Sequence, residues 1–76
     1  MASKTTESYR LLGVDPGTNL LGFAVIEIEG RSLRLLEMGV VHLQKLGSQE
    51  LKLKRIFQRL QTIIEVYRPR EMAIEA

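Results

Sequence analysis

From Leu53 onward the apolar residues keep helical spacing. Leu53, Ile56, Phe57, Leu60, Ile63, Ile64 and Tyr67 follow one another at intervals of three and one, which places them on one face of an α-helix. Ser48 is a suitable N-cap, and Pro69 stops the helix after Arg68, so the spacing predicts a helix of about twenty residues. Its other face carries Lys52, Arg55, Arg59 and Glu65. Stretches with the period of a strand lie on both sides of it. A helix set between strands makes the chain an α/β layer.

Upstream, Tyr9 to Val14 is short and apolar and ends in Asp15-Pro16-Gly17-Thr18, a strong turn signal. Gly22 to Glu29 is β-rich and alternating, and Gly30-Arg31 marks a hairpin connection into a third run, Ser32 to Leu43. These predict a three-stranded antiparallel meander, preceded by a polar, disordered tail over residues 1–8. After Pro69, Glu71 to Ala76 reads as a fourth strand in which the sequence stops. A crossover helix lets that strand return parallel to one of the first three. Pairing with the first gives the sheet order 3-2-1-4. No internal repeat or low-complexity segment is present.

Seventy-six residues without a cysteine form a marginal core and exclude disulfides and thiolate metal sites. The 45% apolar and 26% charged composition is that of a globular chain. No apolar run nears the ~20 residues that span a bilayer. The first eight residues are not of signal-peptide type, so a soluble, cytoplasmic protein with no membrane contact is expected. A net charge of +2 is too small to announce nucleic acid. Its distribution says more: Lys45, Lys52, Lys54, Arg55 and Arg59 fall in a stretch with one acid, Glu50. The plain reading of that helix face is solvation; the sharper one, centred on Lys52, Arg55 and Arg59, is a surface that meets DNA phosphates.

In the 3-2-1-4 order, Asp15 and Glu75 both lie at the carboxyl ends of adjacent parallel strands, roughly 5 Å apart across the ladder. Two carboxylates so close repel one another unless a cation lies between them. Hard oxygen ligands suit Mg²⁺, with Mn²⁺ as a possible substitute. A pair of such ions can clamp the attacking and leaving oxygens of a phosphodiester. Taken alone, strand-end acids sixty positions apart are more often simply solvated.

They stand, however, in two longer motifs. Leu12-Gly13-Val14-Asp15-Pro16-Gly17-Thr18, followed by Gly22-Phe23-Ala24, resembles the opening strand, turn and second strand of RuvC-type Holliday-junction resolvases. Ala73-Ile74-Glu75 is similar to the end of that family's fourth strand, and the basic helix closed by Arg68-Pro69 fits between them. The resemblance covers residues 10–76. It implies an RNase H-like fold and a Mg²⁺-dependent, structure-selective endonuclease. The implied enzyme resolves four-way DNA junctions in recombination and repair as a homodimer, working with branch-migration motor proteins. Carried over by position, Asp15 and Glu75 are the first two metal ligands and catalytic acids. The family's two later acids have no counterpart up to Ala76. The chain therefore reads as the N-terminal half of a resolvase, inactive by itself.

Other residues have plainer roles. Thr18 and Asn19 can donate to a phosphate but more readily satisfy the turn backbone. His42 reads as a surface residue at a strand end, Met38 and Met72 as core, and Phe57 and Tyr67 as packing residues of the helix. Three other readings remain open. Actin-like sugar kinases and related ATPases also begin with a strand, an Asp-x-Gly-Thr turn and a strand, and the turn amides can hold phosphate. RuvX-type RNase H-like nucleases open with a similar Asp-x-Gly turn. A non-catalytic interaction module is the third reading.

Overall fold

Two hairpin-connected strand pairs come first along the chain. In the computed structural model, which describes residues 7–44 and 47–75, β1 (Ser8–Pro16), β2 (Leu20–Glu29) and β3 (Ser32–His42) form an antiparallel meander. The residues 1–6 of the expected tail, together with Lys45 and Ala76, lie outside the described residues. β1 already begins at Ser8, which pairs with Glu29. It runs through the expected turn as far as Pro16, opposite Leu21. The β1–β2 turn closes through the Gly17 amide, which donates to the Leu20 carbonyl at 2.8 Å. Gly30 connects β2 to β3 with φ 59°, a value that costs a residue with a Cβ more than it costs glycine.

Helix α1 (Gln49–Tyr67) starts where Ser48 accepts a hydrogen bond from the Leu51 amide at 3.2 Å. It ends at Arg68, which adopts the left-handed conformation and donates its amide to the Ile64 carbonyl. Pro69 then prevents continuation. The chain returns as β4 (Glu71–Ile74), parallel to β1, and the sheet order is β3-β2-β1-β4, as expected.

The core lies between α1 and one sheet face. Leu12, Val14, Leu21, Phe23, Val25, Val41, Leu43 and Ile63 are buried there, with Leu36, Ile56, Leu60 and Tyr67 packed against them. Strict alternation would put Leu36 on the same side as Met38. A bulge opposite Val25 and Ile26 shifts the register, so Ile26 pairs with Leu35 and Leu36 joins the core. A Tyr67–Glu37 hydrogen bond of 2.6 Å ties the end of α1 to β3.

The other sheet face has no helix among the described residues. Leu33, Leu35, Met38 and Val40 are exposed along it. Met38, expected in the core, is 67% exposed; Met72 is 48% and Phe57 is 66% exposed. Met72 and Phe57 belong to an apolar groove of about 470 Å³ between α1 and β4, together with Leu53, Leu60 and Ile64. Their helical and strand periods are those of core residues, but no described segment covers this side of α1.

Candidate active site

The last pairing between β1 and β4 is Val14 with Ile74, and the Glu75 amide continues the ladder to the Val14 carbonyl at 3.0 Å. Asp15 and Glu75 each follow the last residue of the β1–β4 pairing. They therefore sit side by side, about 4.8 Å apart at the backbone. Val14 belongs to the helix-covered core, so its successor Asp15 is carried to the opposite face, the one α1 leaves open. Both acids are exposed and line one depression of about 530 Å³, whose floor includes Gly13, Gly22 and Ala73. Gly22 pairs with Asp15 and leaves the space beside its Cβ open. These small residues beside a carboxylate mark a place where a bulky ligand can approach the backbone.

No lysine or arginine pairs with Asp15 or Glu75 among the described residues. Two adjacent carboxylates without a basic partner are hard-oxygen donors of the type that could hold a divalent cation. No cluster of three or more such ligands occurs among the described residues.

The basic residues of α1 divide into two groups. Arg59 turns toward the sheet: its guanidinium lies 5.4 Å from the Phe23 ring centroid and 3.7 Å from Glu37. Arg55 is exposed and Lys52 half-buried, and neither has an ion-pair partner among the described residues. The triad expected to act as one phosphate-facing surface is therefore two free cations and one that is partly neutralised. What spacing could not show is Glu37, a β3 residue that reaches α1 only through the tertiary fold. Thr18 and Asn19 are exposed at the turn tip beside Asp15. Backbone bonds hold this turn: Gly17 to Leu20, and the Leu43 amide to the Asn19 carbonyl at 2.8 Å. His42 is exposed at the end of β3, as expected.

Among the described residues two titratable groups are perturbed, both away from the acid pair. The hydrogen bond from Arg34 at 2.6 Å, helped by Arg10, holds the Glu27 carboxyl below its ordinary value. The hydrogen bond to Glu37 pushes the Tyr67 phenol up.

A mixed sheet in this order, with a crossover helix between its third and fourth strands, defines an RNase H-like protein. Its sequence is specific within that class. The family model described as crossover junction endodeoxyribonuclease RuvC matches residues 11–76, and the chain belongs to that family. A relative of that description from Cytophaga hutchinsonii is 52% identical over 66 residues, which are 87% of this chain and 33% of the relative. One from Porphyromonas gingivalis is 46% identical over 87% of this chain and 35% of its own length. The chain thus spans about a third of the relatives it matches. Thermus thermophilus RuvC superposes with a TM-score of 0.80 at 30% identity, covering 88% of this chain and 42% of that one. The same protein in complex with a Holliday junction substrate gives 0.81 at 29% identity, over 90% and 42%. An Aquifex aeolicus Ppx/GppA enzyme gives 0.66 at 15% identity, over 90% of this chain and 26% of that one, which is a likeness of fold alone.

Proposed function

We propose that this chain is the N-terminal part of a Mg²⁺-dependent endonuclease that resolves four-way DNA junctions by phosphodiester hydrolysis, in recombination and repair in the cytoplasm. The single observation that carries the reading is the placement of Asp15 and Glu75 at adjacent parallel strand ends, above a glycine-lined floor. In this reading the two carboxylates are metal ligands and catalytic acids, with Mn²⁺ an acceptable substitute. Bound there, Mg²⁺ would supply a Lewis acid for the phosphoryl oxygens and a water of lowered pKa. The chain's own part is to concentrate negative charge at one point, to keep bulk away at Gly22, and to hold both acids on a rigid ladder. Lys52 and Arg55 supply phosphate contacts along α1, and Arg59 a weaker one. A homodimer and branch-migration motor proteins belong to the same reading, supported by the family membership.

The experiment is substitution of Asp15 by Asn in a chain extended to the length of its relatives. The amide keeps the side-chain shape and removes the charge that holds the cation. Junction cleavage is expected to disappear while junction binding persists. Cleavage near the wild-type rate in Mg²⁺ would sink the assignment. For the 76-residue chain, with two acids in place, no cleavage is expected, and calorimetry should find Mg²⁺ affinity of about millimolar or weaker.

A further inference from the structure

The end of the sheet remote from Asp15 and Glu75 gathers three arginines around one depression. Parallel pairing sets Arg70 beside Arg10, and the Arg70 amide donates to the Arg10 carbonyl at 2.8 Å. Arg68, the left-handed residue that closes α1, lines the same depression of about 380 Å³. Its remaining walls include Tyr9, Tyr67 and Glu27.

Two of these guanidiniums lie over aromatic rings, Arg70 closely. Arg70 lies 3.8 Å from the Tyr9 ring centroid and Arg10 lies 5.7 Å from that of Tyr67. A guanidinium stacked on a ring keeps its N–H groups pointing outward in its own plane, which is the geometry that meets an oxyanion edge-on. Arg10 is further oriented by the Tyr67 carbonyl at 3.2 Å and by Glu27 at 3.4 Å. Glu27 gives its other oxygen to Arg34 at 2.6 Å, so the acid inside the depression is already shared between two cations. Glu7 is the other acid on its rim. Neither Arg68 nor Arg70 has a carboxylate partner among the described residues.

We infer that this depression, formed where the end of α1 and the start of β4 meet the start of β1, is a binding site for a phosphate-class oxyanion, with Arg70 and Arg68 as its principal donors. It is independent of the acid pair. Arg10 and Asp15 are five residues apart along β1, about 17 Å, on opposite faces of the strand. The anion can come from the phosphodiester backbone of DNA or from free phosphate, and the chemistry of recognition is shared.

The chain has two tyrosines and no tryptophan, and both tyrosines line the site, so tyrosine emission is a built-in reporter. Titration of the 76-residue chain with inorganic phosphate at constant ionic strength should give a saturable change in emission. A second titration uses a short duplex DNA. Arg70→Gln and Arg68→Gln should each weaken binding about tenfold, the order expected for one charge-assisted pair. Arg70→Lys should fall between wild type and Arg70→Gln, because charge is kept and the planar stack is lost. Gln58→Ala, on the exposed side of α1, should change nothing. Response to both probes shows a site that accepts either source; response to DNA alone identifies the backbone diester, and to phosphate alone the free anion. Absence of a saturable response to either probe by the wild-type chain would overturn the proposal, and so would equal binding by a folded Arg70→Gln chain.

Discussion

Gly39 faces the Phe23 ring so closely that a Cβ there would stand 2.9 Å from Cζ and 3.0 Å from Cε1. The ring has nowhere cheap to go, since Phe23 is 5% exposed and carries Arg59 above it. Gly39→Ala is therefore expected to cost about 1–3 kcal/mol, measured as a lower denaturant midpoint with an unchanged slope. Gly17 is constrained differently, because a Cβ would meet the Leu20 carbonyl at 2.7 Å and open the turn beside Asp15. Among the charged residues, Glu27 ties folding to pH. Arg34 first, and Arg10 after it, hold its folded carboxyl below the ordinary value. A depressed acid contributes stability that is complete above that ordinary value and is lost as pH falls through the folded one. Thermal unfolding should show a decline on acidification below the usual carboxylate range, and Glu27→Gln should flatten it.

At the scale of elements, α1 depends on its first turn. Ser48→Ala removes the hydrogen bond to the Leu51 amide and should cost about 1 kcal/mol, read from chemical unfolding of the chain. If the outer side of the helix meets DNA, neutralising one phosphate-binding cation makes the slope of log affinity against log salt shallower by close to one unit. Lys52→Gln and Arg55→Gln should each show that change. Arg59→Gln should show less, since Glu37 already claims part of its charge. The order of elements, the capping serine, the stop at Pro69 and the acid pair were all legible in the sequence, because each follows from local chemistry or from the single topology a crossover helix favours. Three features were not. The bulge at Val25 and Ile26 depends on how two strands match, and it moved Leu36 into the core against its own alternation. Arg59 left the basic face because of a partner twenty-two positions away on β3. The arginine site at the start of β1 arises from the pairing of β1 with β4, and no spacing along the chain announces it.

Among the described residues the sheet has one covered face and one open one. Leu33, Leu35, Met38 and Val40 lie exposed along the open side, and β4 offers a strand edge whose residues are all exposed. Surfaces of both kinds associate. The 76-residue chain is expected to form dimers or larger species across micromolar concentrations, seen by light scattering, and a sharp monomer at all concentrations would contradict this. β4 also governs the timing of assembly. The meander is built from neighbours in sequence and needs only short loops to close, whereas the pairing of Val14 with Ile74 joins positions sixty residues apart. Loop closure makes such a contact slow relative to hairpins. The two acids are therefore expected to come together late in folding, when a four-residue strand docks beside the meander. A ribosome that has released β1, β2 and β3 has placed Asp15 without Glu75 beside it. Only the arrival of the last strand completes the pair.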